Sequence, residues 1–461
     1  MTRVQPRKVA ELKGGFEGEI LLPSDGAYDS ARKIWNAMID KRPAVIARCA
    51  ITPDVVRGVN FARDNGLLLA VRGGGHNIAG SAVCDDGLVI DLSRMKAARV
   101  DPGRRRVAIE GGATLADLDA ATHAHGLATP VGINSTTGVA GLTLGGGFGW
   151  LSRKYGMTID NLDSAEVVTA AGQVVRASAT EHPDLFWALR GGGGNFGVVT
   201  RFEFRLHPVG PDVLSGLIVY PISEAKPVLQ QYREFLAKAP EELTVWTVLR
   251  QAPPLPFLPE RVHGQEIVVL ALVYAGDPKQ GAPLIEPLRR FGTALGEHVG
   301  VQPYAAWQQA FDPLLTAGAR NYWKSHNFST LADGLFDAVI AAVGTLPSPQ
   351  CEIIIAALGG ATARPAPASA AYGHRDTKFV MNVHGRWEDP ADDKLGIGWA
   401  RDFFSAAAPF ATGGAYVNFL TADEGDRVRS AYGPNYDRLA QVKRTYDPNN
   451  LFRMNQNIEP A

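Results

Sequence analysis

The chain has 461 residues, with 46 Lys+Arg against 47 Asp+Glu for a formal net charge of −1, and 46% of its residues are hydrophobic. That length and apolar content support two or three folding units with cores of their own, and the charge balance lacks the basic excess of a nucleic-acid binder. Three widely spaced cysteines, Cys49, Cys84 and Cys351, give neither a disulfide framework nor a zinc pattern, so no metal is expected.

The N-terminal stretch MTRVQPRKVAELKGG has no apolar core of a secretory signal. Residues 120–152 are free of Asp, Glu, Lys and Arg, but eight glycines, Pro130 and Asn134 rule out a membrane helix there. A cytoplasmic protein, monomeric or homodimeric and without a membrane or nucleic-acid partner, is expected.

In chain order, PAVIARCA (43–50) reads as a strand. Residues 52–66 have helical spacing, with Thr52 as N-cap candidate and Gly66 as stop. LLLAVRGGG runs from a strand into a glycine turn, 87–93 and 105–112 are strands, and 114–126 is a helix closed by Gly126. Residues 160–178 form two strands turning at Ala171-Gly172, and 182–208 form a helix, a glycine turn and a strand. HPVGPD (207–212), with two prolines and a glycine, marks a domain boundary. Beyond it, alternating strands at 244–250, 266–276, 352–361 and 378–389 are separated by amphipathic helices such as 222–240, which points to an antiparallel α+β unit. A single helix is expected over 426–447.

Glycine supplies 50 of the 461 residues, above the usual share of about 7%. The excess is concentrated in RGGGHNIAG (72–80), in 132–149 and in RGGGGNFG (190–197). Without a Cβ, such backbone can lie directly against a flat or phosphorylated ligand. Gly192, Gly194 and Gly197 spell GxGxxG, but a helical pattern precedes them and a β-branched run follows. A dinucleotide fingerprint of the Rossmann type needs the reverse order. His76, after Arg72-Gly73-Gly74-Gly75, has two readings: a loop histidine capping a turn, or a side chain reaching a cofactor ring held by those glycines.

The succession RGGGH, GLTLGGGFGWLSRKYG, DLFWALRGGGGNFGVVT and VKRTYDPNNLFRMNQNI resembles the berberine-bridge-enzyme-like group of FAD-linked oxidases in the vanillyl-alcohol-oxidase superfamily. The resemblance runs from about Pro23 to Ile458 and is thin between about 215 and 410. It implies an α+β protein: a PCMH-type FAD-binding domain (1–210), an inserted antiparallel-sheet substrate domain (211–410), and a C-terminal segment (411–461) returning to the first. FAD is the implied cofactor, bonded covalently to His76. Around it the resemblance sets Arg72, Gly73, Gly74, Gly75, Asn77, Gly80, Asn134, Thr136, Gly138, Gly141, Gly146, Gly147, Gly149, Gly197, Val198 and Asn455. Asn134 stands where members with a second flavin linkage have cysteine, so one link is expected. Thr137 matches a position governing oxygen access, where valine goes with oxidases and leucine with dehydrogenases. Its bland reading is a turn threonine bonded to its own backbone. Tyr416, in a strand containing Ala415-Tyr416-Val417-Asn418-Phe419, matches the family's general base, with Asn418 beside it; Phe419 replaces a second tyrosine. A tyrosine must be lowered well below about 10 to serve as base near neutrality.

The implied reaction oxidises a C–H of an alcohol, amine or sugar, with hydride going to the flavin and molecular oxygen becoming hydrogen peroxide. A dehydrogenase with another acceptor and a silent flavin- or carbohydrate-binding protein are the alternatives. In the middle domain, Asn382, His384 and Arg386 share one strand face and Tyr322, Lys324 and His326 another; alternation does not tell which one faces a pocket.

Overall fold

In the computed structural model, which describes residues 6–461, strands β1 (Glu19–Leu21), β2 (Val45–Arg48), β3 (Leu69–Arg72) and β4 (Leu88–Asp91) form a sheet of order β1-β2-β4-β3. The opening five residues of the N-terminal stretch read above lie outside the described residues. β2, β4 and β3 pair in parallel, and helix Thr52–Asp64 makes the crossover that parallel neighbours require. That helix is capped by Ile51 without a side-chain bond, which corrects the expectation for Thr52. The Thr52 hydroxyl is instead engaged with Glu166 Oε1 at 3.0 Å, on the neighbouring sheet.

Seven strands follow: β5 (Ala98–Asp101), β6 (Arg106–Glu110), β7 (Leu127–Ala128), β8 (Leu162–Val168), β9 (Val174–Ser178), β10 (Val198–Arg205) and β11 (His207–Pro208). Five of them make an antiparallel sheet of order β5-β6-β10-β8-β9, while β7 and β11 pair alone. β10 shows the pleat at work, with Phe202 and Phe204 in the core and Arg201 and Arg205 in solvent. The Gly192–Gly197 loop follows helix Pro183–Leu189 and enters β10, the reverse of a Rossmann turn, as its flanks indicated.

After Pro211 the chain builds β12 (Asp212–Pro221), β13 (Leu243–Gln251), β14 (Glu266–Tyr274), β15 (Gly296–Pro303), β16 (Arg320–Phe328), β17 (Glu352–Ala357) and β18 (Phe379–Trp387). They form one antiparallel sheet of order β15-β12-β14-β13-β17-β18-β16. Helix Asp393–Ala407 packs on β16 and β18, and helix Asp333–Val343 packs between it and helix Ala225–Leu236. Residues of this sheet share one apolar cluster with Ala128, Phe148, Trp150 and Met157 of the glycine-rich half, so the two halves meet through a continuous core.

Register separates the two polar rows. Asn382 lies opposite Ser325, His384 opposite Trp323 and Arg386 opposite Asn321, whereas Tyr322, Lys324 and His326 face Gly385, Val383 and Met381. The second row turns to the helical side. His326 stacks on Phe404 of helix Asp393–Ala407 at 4.1 Å, and Arg401 Nε donates to Tyr322 Oη at 2.9 Å.

Two expectations near the C-terminus are corrected. Residues 426–447 hold two helices, Val428–Tyr432 and Tyr436–Tyr446, because Gly433 has φ +58° and Pro434 has no N–H to continue the first. Residues 415–419 are not a strand but lead into a single 3₁₀ turn, Val417–Phe419. Tyr416 and Asn418 spend their polar groups on the 142–147 backbone instead of on a strand neighbour. Among the described residues no helix is long and apolar enough to cross a membrane.

Candidate active site

A cavity of about 320 Å³ lies between the glycine-rich half and the seven-stranded sheet. The three glycine clusters converge on it: Gly73, Gly74, Gly75, His76 and Asn77 from the first, Asn134, Thr137, Gly138 and Gly141 from the second, and Gly193, Gly194, Gly197 and Val198 from the third. Asn455 reaches it from the C-terminal segment. The clusters touch through bare backbone. A Cβ on Gly74 would stand 2.3 Å from Gly138 N, and one on Gly138 would stand 2.3 Å from Gly74 N.

Several features fit this wall to a long cofactor with phosphates and a flat ring. None of the backbone N–H groups from Gly73 to Asn77 donates to a backbone carbonyl among the described residues, and successive free N–H groups make an anion-binding concavity. A Cβ on Gly141 or Gly194 would meet nothing within 4 Å. Asn455 holds Gly194 O through Nδ2 at 3.1 Å while its buried Oδ1 has no partner.

His76 is sandwiched between the Trp35 ring, stacked at 5.0 Å, and the 134–137 loop. Burial pushes its pKa down to about 4, so the imidazole is neutral near pH 7. Hydrogen bonding then selects its tautomer. Asn134 Oδ1 accepts the Thr136 N–H at 3.0 Å and the Thr136 hydroxyl at 2.7 Å. Having given its proton to an acceptor-only oxygen, Thr136 Oγ1 has only lone pairs for His76 Nε2, 2.8 Å away. Nε2 therefore carries the proton and Nδ1 the lone pair. Ser135 pins the loop by donating its N–H to Asp312 Oδ1 at 3.0 Å, and Leu315 O accepts from both Trp35 Nε1 and Asn134 Nδ2.

Tyr416 is 3% exposed. Its hydroxyl oxygen accepts the Gly147 N–H and Asn418 Nδ2, each at 3.0 Å. Burial outweighs those two bonds and pushes its pKa up to about 12. Asn418 lies so close to Gly145 that a Cβ there would stand 2.2 Å from its Oδ1. Thr137 lines the cavity, and its backbone N–H closes the turn on Asn134 O at 3.1 Å.

The remaining sequence candidates support the wall without lining the cavity. Thr136 acts through His76. Arg72 turns away to donate to Ala31 O, Gly80 packs on Ile39, and Gly146 packs on Met157. Gly147 takes φ +74° and approaches Thr158 so closely that a Cβ would stand 2.2 Å from its Oγ1. Gly149 N–H is held by Ser152 Oγ at 2.9 Å.

The opposite wall is the seven-stranded sheet, through Trp246, Trp323, Ile354, Ala356, Val380, Asn382 and His384. The Asn382/His384 row is thus the one that faces the cavity. Behind it, His384 Nδ1 meets Glu352 Oε1 at 3.1 Å and Nε2 meets Asn321 Oδ1 at 3.1 Å. Burial pushes His384 down, with Glu352 pulling the other way. Burial would raise Glu352, but Arg250 at 2.6 Å outweighs it and holds the carboxyl at about 2. Sequence reasoning missed Trp35, Trp246, Trp323 and Glu352. Isolated tryptophans carry no motif, and only the register of β16 on β18 brings Trp323 beside His384.

Comparison with known proteins agrees with this site. A family model described as FAD binding domain matches residues 43–178, and one described as berberine and berberine like matches 415–459. An FAD-linked oxidoreductase of Dictyostelium discoideum is 32% identical over 98% of this chain and 97% of its own. (R)-6-hydroxynicotine oxidase of Paenarthrobacter nicotinovorans is 32% identical over 96% of this chain and 97% of its own. The crystal structure of 6-hydroxy-D-nicotine oxidase from Arthrobacter nicotinovorans superposes with a TM-score of 0.87 at 30% identity, covering 97% of this chain and 99% of that one. With the whole chain matched in sequence and in fold, and FAD as the cofactor its first half is built for, this protein belongs to the berberine-bridge-enzyme-like FAD-linked oxidoreductases of PCMH-type fold.

Proposed function

We propose that the protein is an oxidase whose FAD is bonded through a single link to His76, and which oxidises a small molecule at the expense of molecular oxygen. The observation that carries this reading is the chain from His76 through Thr136 to Asn134. It holds a neutral imidazole with its Nδ1 lone pair free at the glycine-lined wall, as an attacking nitrogen must be. Asn134, Cys49, Cys84 and Cys351 argue for one link, since the first is an amide and all three thiols are buried elsewhere. When bound, FAD supplies the redox chemistry, accepting hydride and passing two electrons to oxygen.

The chain's own residues do the rest. The free N–H groups at Gly73–Asn77 would receive the phosphates, and Asn455 Oδ1 and the Gly141 and Gly194 backbones would border the cofactor. Tyr416 keeps its proton and ties the Gly147 backbone to Asn418, fixing the far edge of the cavity. Thr137 is short and β-branched, which leaves room for oxygen where a leucine would fill it.

Acid precipitation of the purified yellow protein tests the link. All flavin is expected in the pellet, on one peptide containing His76, and His76→Ala should release it into the supernatant. Free flavin from the unmutated protein would overturn the covalent claim. Slow reoxidation of the dithionite-reduced protein in air, without peroxide, would overturn the oxidase claim.

A further inference from the structure

The sheet-side wall limits what the flavin can meet, and the inference drawn from it rests on the oxidase reading above. Its surface is largely aromatic. Trp323 meets Phe419 edge-on at 5.5 Å, Phe419 meets Phe148 edge-on at 6.0 Å, and Trp246 meets Phe148 at 6.0 Å. Rings set at such angles present both faces and edges to a flat guest.

Charge is excluded from this surface. Among the described residues, none that lines the cavity is Asp, Glu, Lys or Arg. Of the ionic groups just behind it, Glu352 is matched by Arg250 and His384, while the Arg386 guanidinium bonds to Thr316 O and lies 5.4 Å above the Trp35 ring, with its Nε unpartnered. A charged ligand would have to give up its water with no counter-charge to receive it.

Two polar groups are nevertheless unspent. Asn382 is 6% exposed and its Oδ1 is buried without a partner, and the Trp323 indole N–H is buried without an acceptor. The register sets these residues diagonally on one face, since Trp323 lies opposite His384. The first asks for a donor and the second for an acceptor. A hydroxyl or a neutral amine offers both.

We propose that the substrate is an uncharged, largely apolar alcohol or neutral amine with a flat aromatic or cyclic body, carrying a hydrogen on the carbon that bears the O–H or N–H, and that this O–H or N–H is received by Asn382. The carbon bearing that group loses a hydride and the heteroatom loses a proton, forming a C=O or C=N bond. The same two electrons and two protons convert dioxygen to hydrogen peroxide. Oligosaccharides are disfavoured on the same ground. Each pyranose carries several hydroxyls, and two unspent protein groups leave most of them unpaired on burial.

Phenol and cellobiose are suitable probes, because binding of either beside the flavin is read from the flavin absorption spectrum of the holoprotein without turnover. Phenol should perturb the spectrum saturably and cellobiose should not. Asn382→Leu should weaken phenol binding roughly tenfold and leave toluene, which has no donor, unaffected. Asn382→Ala, which removes bulk rather than adding it, should give the same contrast if the leucine variant does not fold. Tighter binding of cellobiose than of phenol, or equal effects of the substitutions on phenol and toluene, would overturn the proposal. Reoxidation of dithionite-reduced flavin by oxygen is measured on the same samples. It judges the oxidase reading separately, since it needs no substrate.

Discussion

From Gly73 to Gly138 one wall of the cavity is built around bare glycine backbone, with free N–H groups and glycines packed on glycines; across from it, β13, β16, β17 and β18 present side chains. The difference follows from what each wall has to recognise. A phosphate and a flat ring are met by dipoles and close approach, which any chain supplies where Cβ atoms are absent. A substrate is distinguished by shape and by one or two polar groups, which only particular side chains on a particular strand face provide. The first wall therefore tolerates almost no added atoms, whereas the second tolerates exchange and changes its guest.

Gly74→Val breaks this contrast most severely. The added carbon would stand 2.3 Å from Gly138 N and 2.5 Å from its Cα, and neither backbone can retreat without opening both loops. Complete loss of bound flavin is expected, read as the absence of visible absorbance in the purified protein. On the other wall, Ile354→Val removes one methyl group at a cost of about 1 kcal/mol and should leave the flavin in place. A colourless Ile354→Val protein would show that the walls are not independent.

Thr137→Leu comes next, because it adds a γ-branch on the backbone wall where oxygen is expected to enter. Reoxidation of the reduced flavin should slow by orders of magnitude while reduction by substrate changes little, a separation that stopped-flow resolves. Thr137→Val should keep fast reoxidation, since it keeps the β-branched shape that leaves room for oxygen. Equal slowing of both half-reactions would reduce Thr137 to a packing residue.

A third test acts on the side-chain wall alone. Glu352 is held at about 2, below its ordinary 4.5, because Arg250 outweighs the cost of burial. A folded-state value below the unfolded one stabilises the protein above the unfolded value, and that stabilisation is lost as pH falls between about 4.5 and 2. The difference amounts to about 3 kcal/mol. Glu352→Gln should remove this acid dependence and also leave Arg250 buried without its counter-charge, costing about 3–5 kcal/mol at pH 7. Urea midpoints at pH 7 and pH 3 measure both effects: between them the unmutated protein should lose more stability than the variant, by the part of the Glu352 contribution lost above pH 3.

The same division explains how much the sequence disclosed. The glycine clusters that converge on the cavity were legible because backbone demands leave a compositional mark. So was the reversed order around Gly192–Gly197. The fold class came with the resemblance carried by those motifs, while alternation of elements pointed only to the antiparallel α+β unit of the second half. The sheet wall was not legible in that way: alternation put Asn382 and His384 on one face, but only pairing with β16 shows that this face meets Trp323 and the cavity while Tyr322, Lys324 and His326 turn to the helices. Trp35, near the N-terminus, joins His76 and Leu315 through contacts spanning up to 280 residues, which no local pattern encodes. The Tyr416 segment reads as a strand by its β-branched and aromatic residues, yet turns because Tyr416 and Asn418 are bound to backbone of the other half.

The smallest effect is expected at Tyr416, the residue that bridges the two walls. Its oxygen accepts the Gly147 backbone N–H and the Asn418 side-chain amide, and burial still pushes its pKa up to about 12. Below about pH 10 the phenol should carry its proton throughout, so it contributes no inflection to a pH–rate profile between 6 and 9. Tyr416→Phe should lower the rate modestly, because the Gly147 N–H and the Asn418 amide lose an acceptor and about 1 kcal/mol of stability with each bond. The position of every inflection in kcat/KM should remain where it was. If instead an acidic limb near neutrality is present in the unmutated enzyme and absent from the variant, Tyr416 is the base. The bound cofactor must then supply a lowering that the protein's own groups do not, and the two walls would share the proton transfer rather than divide the labour.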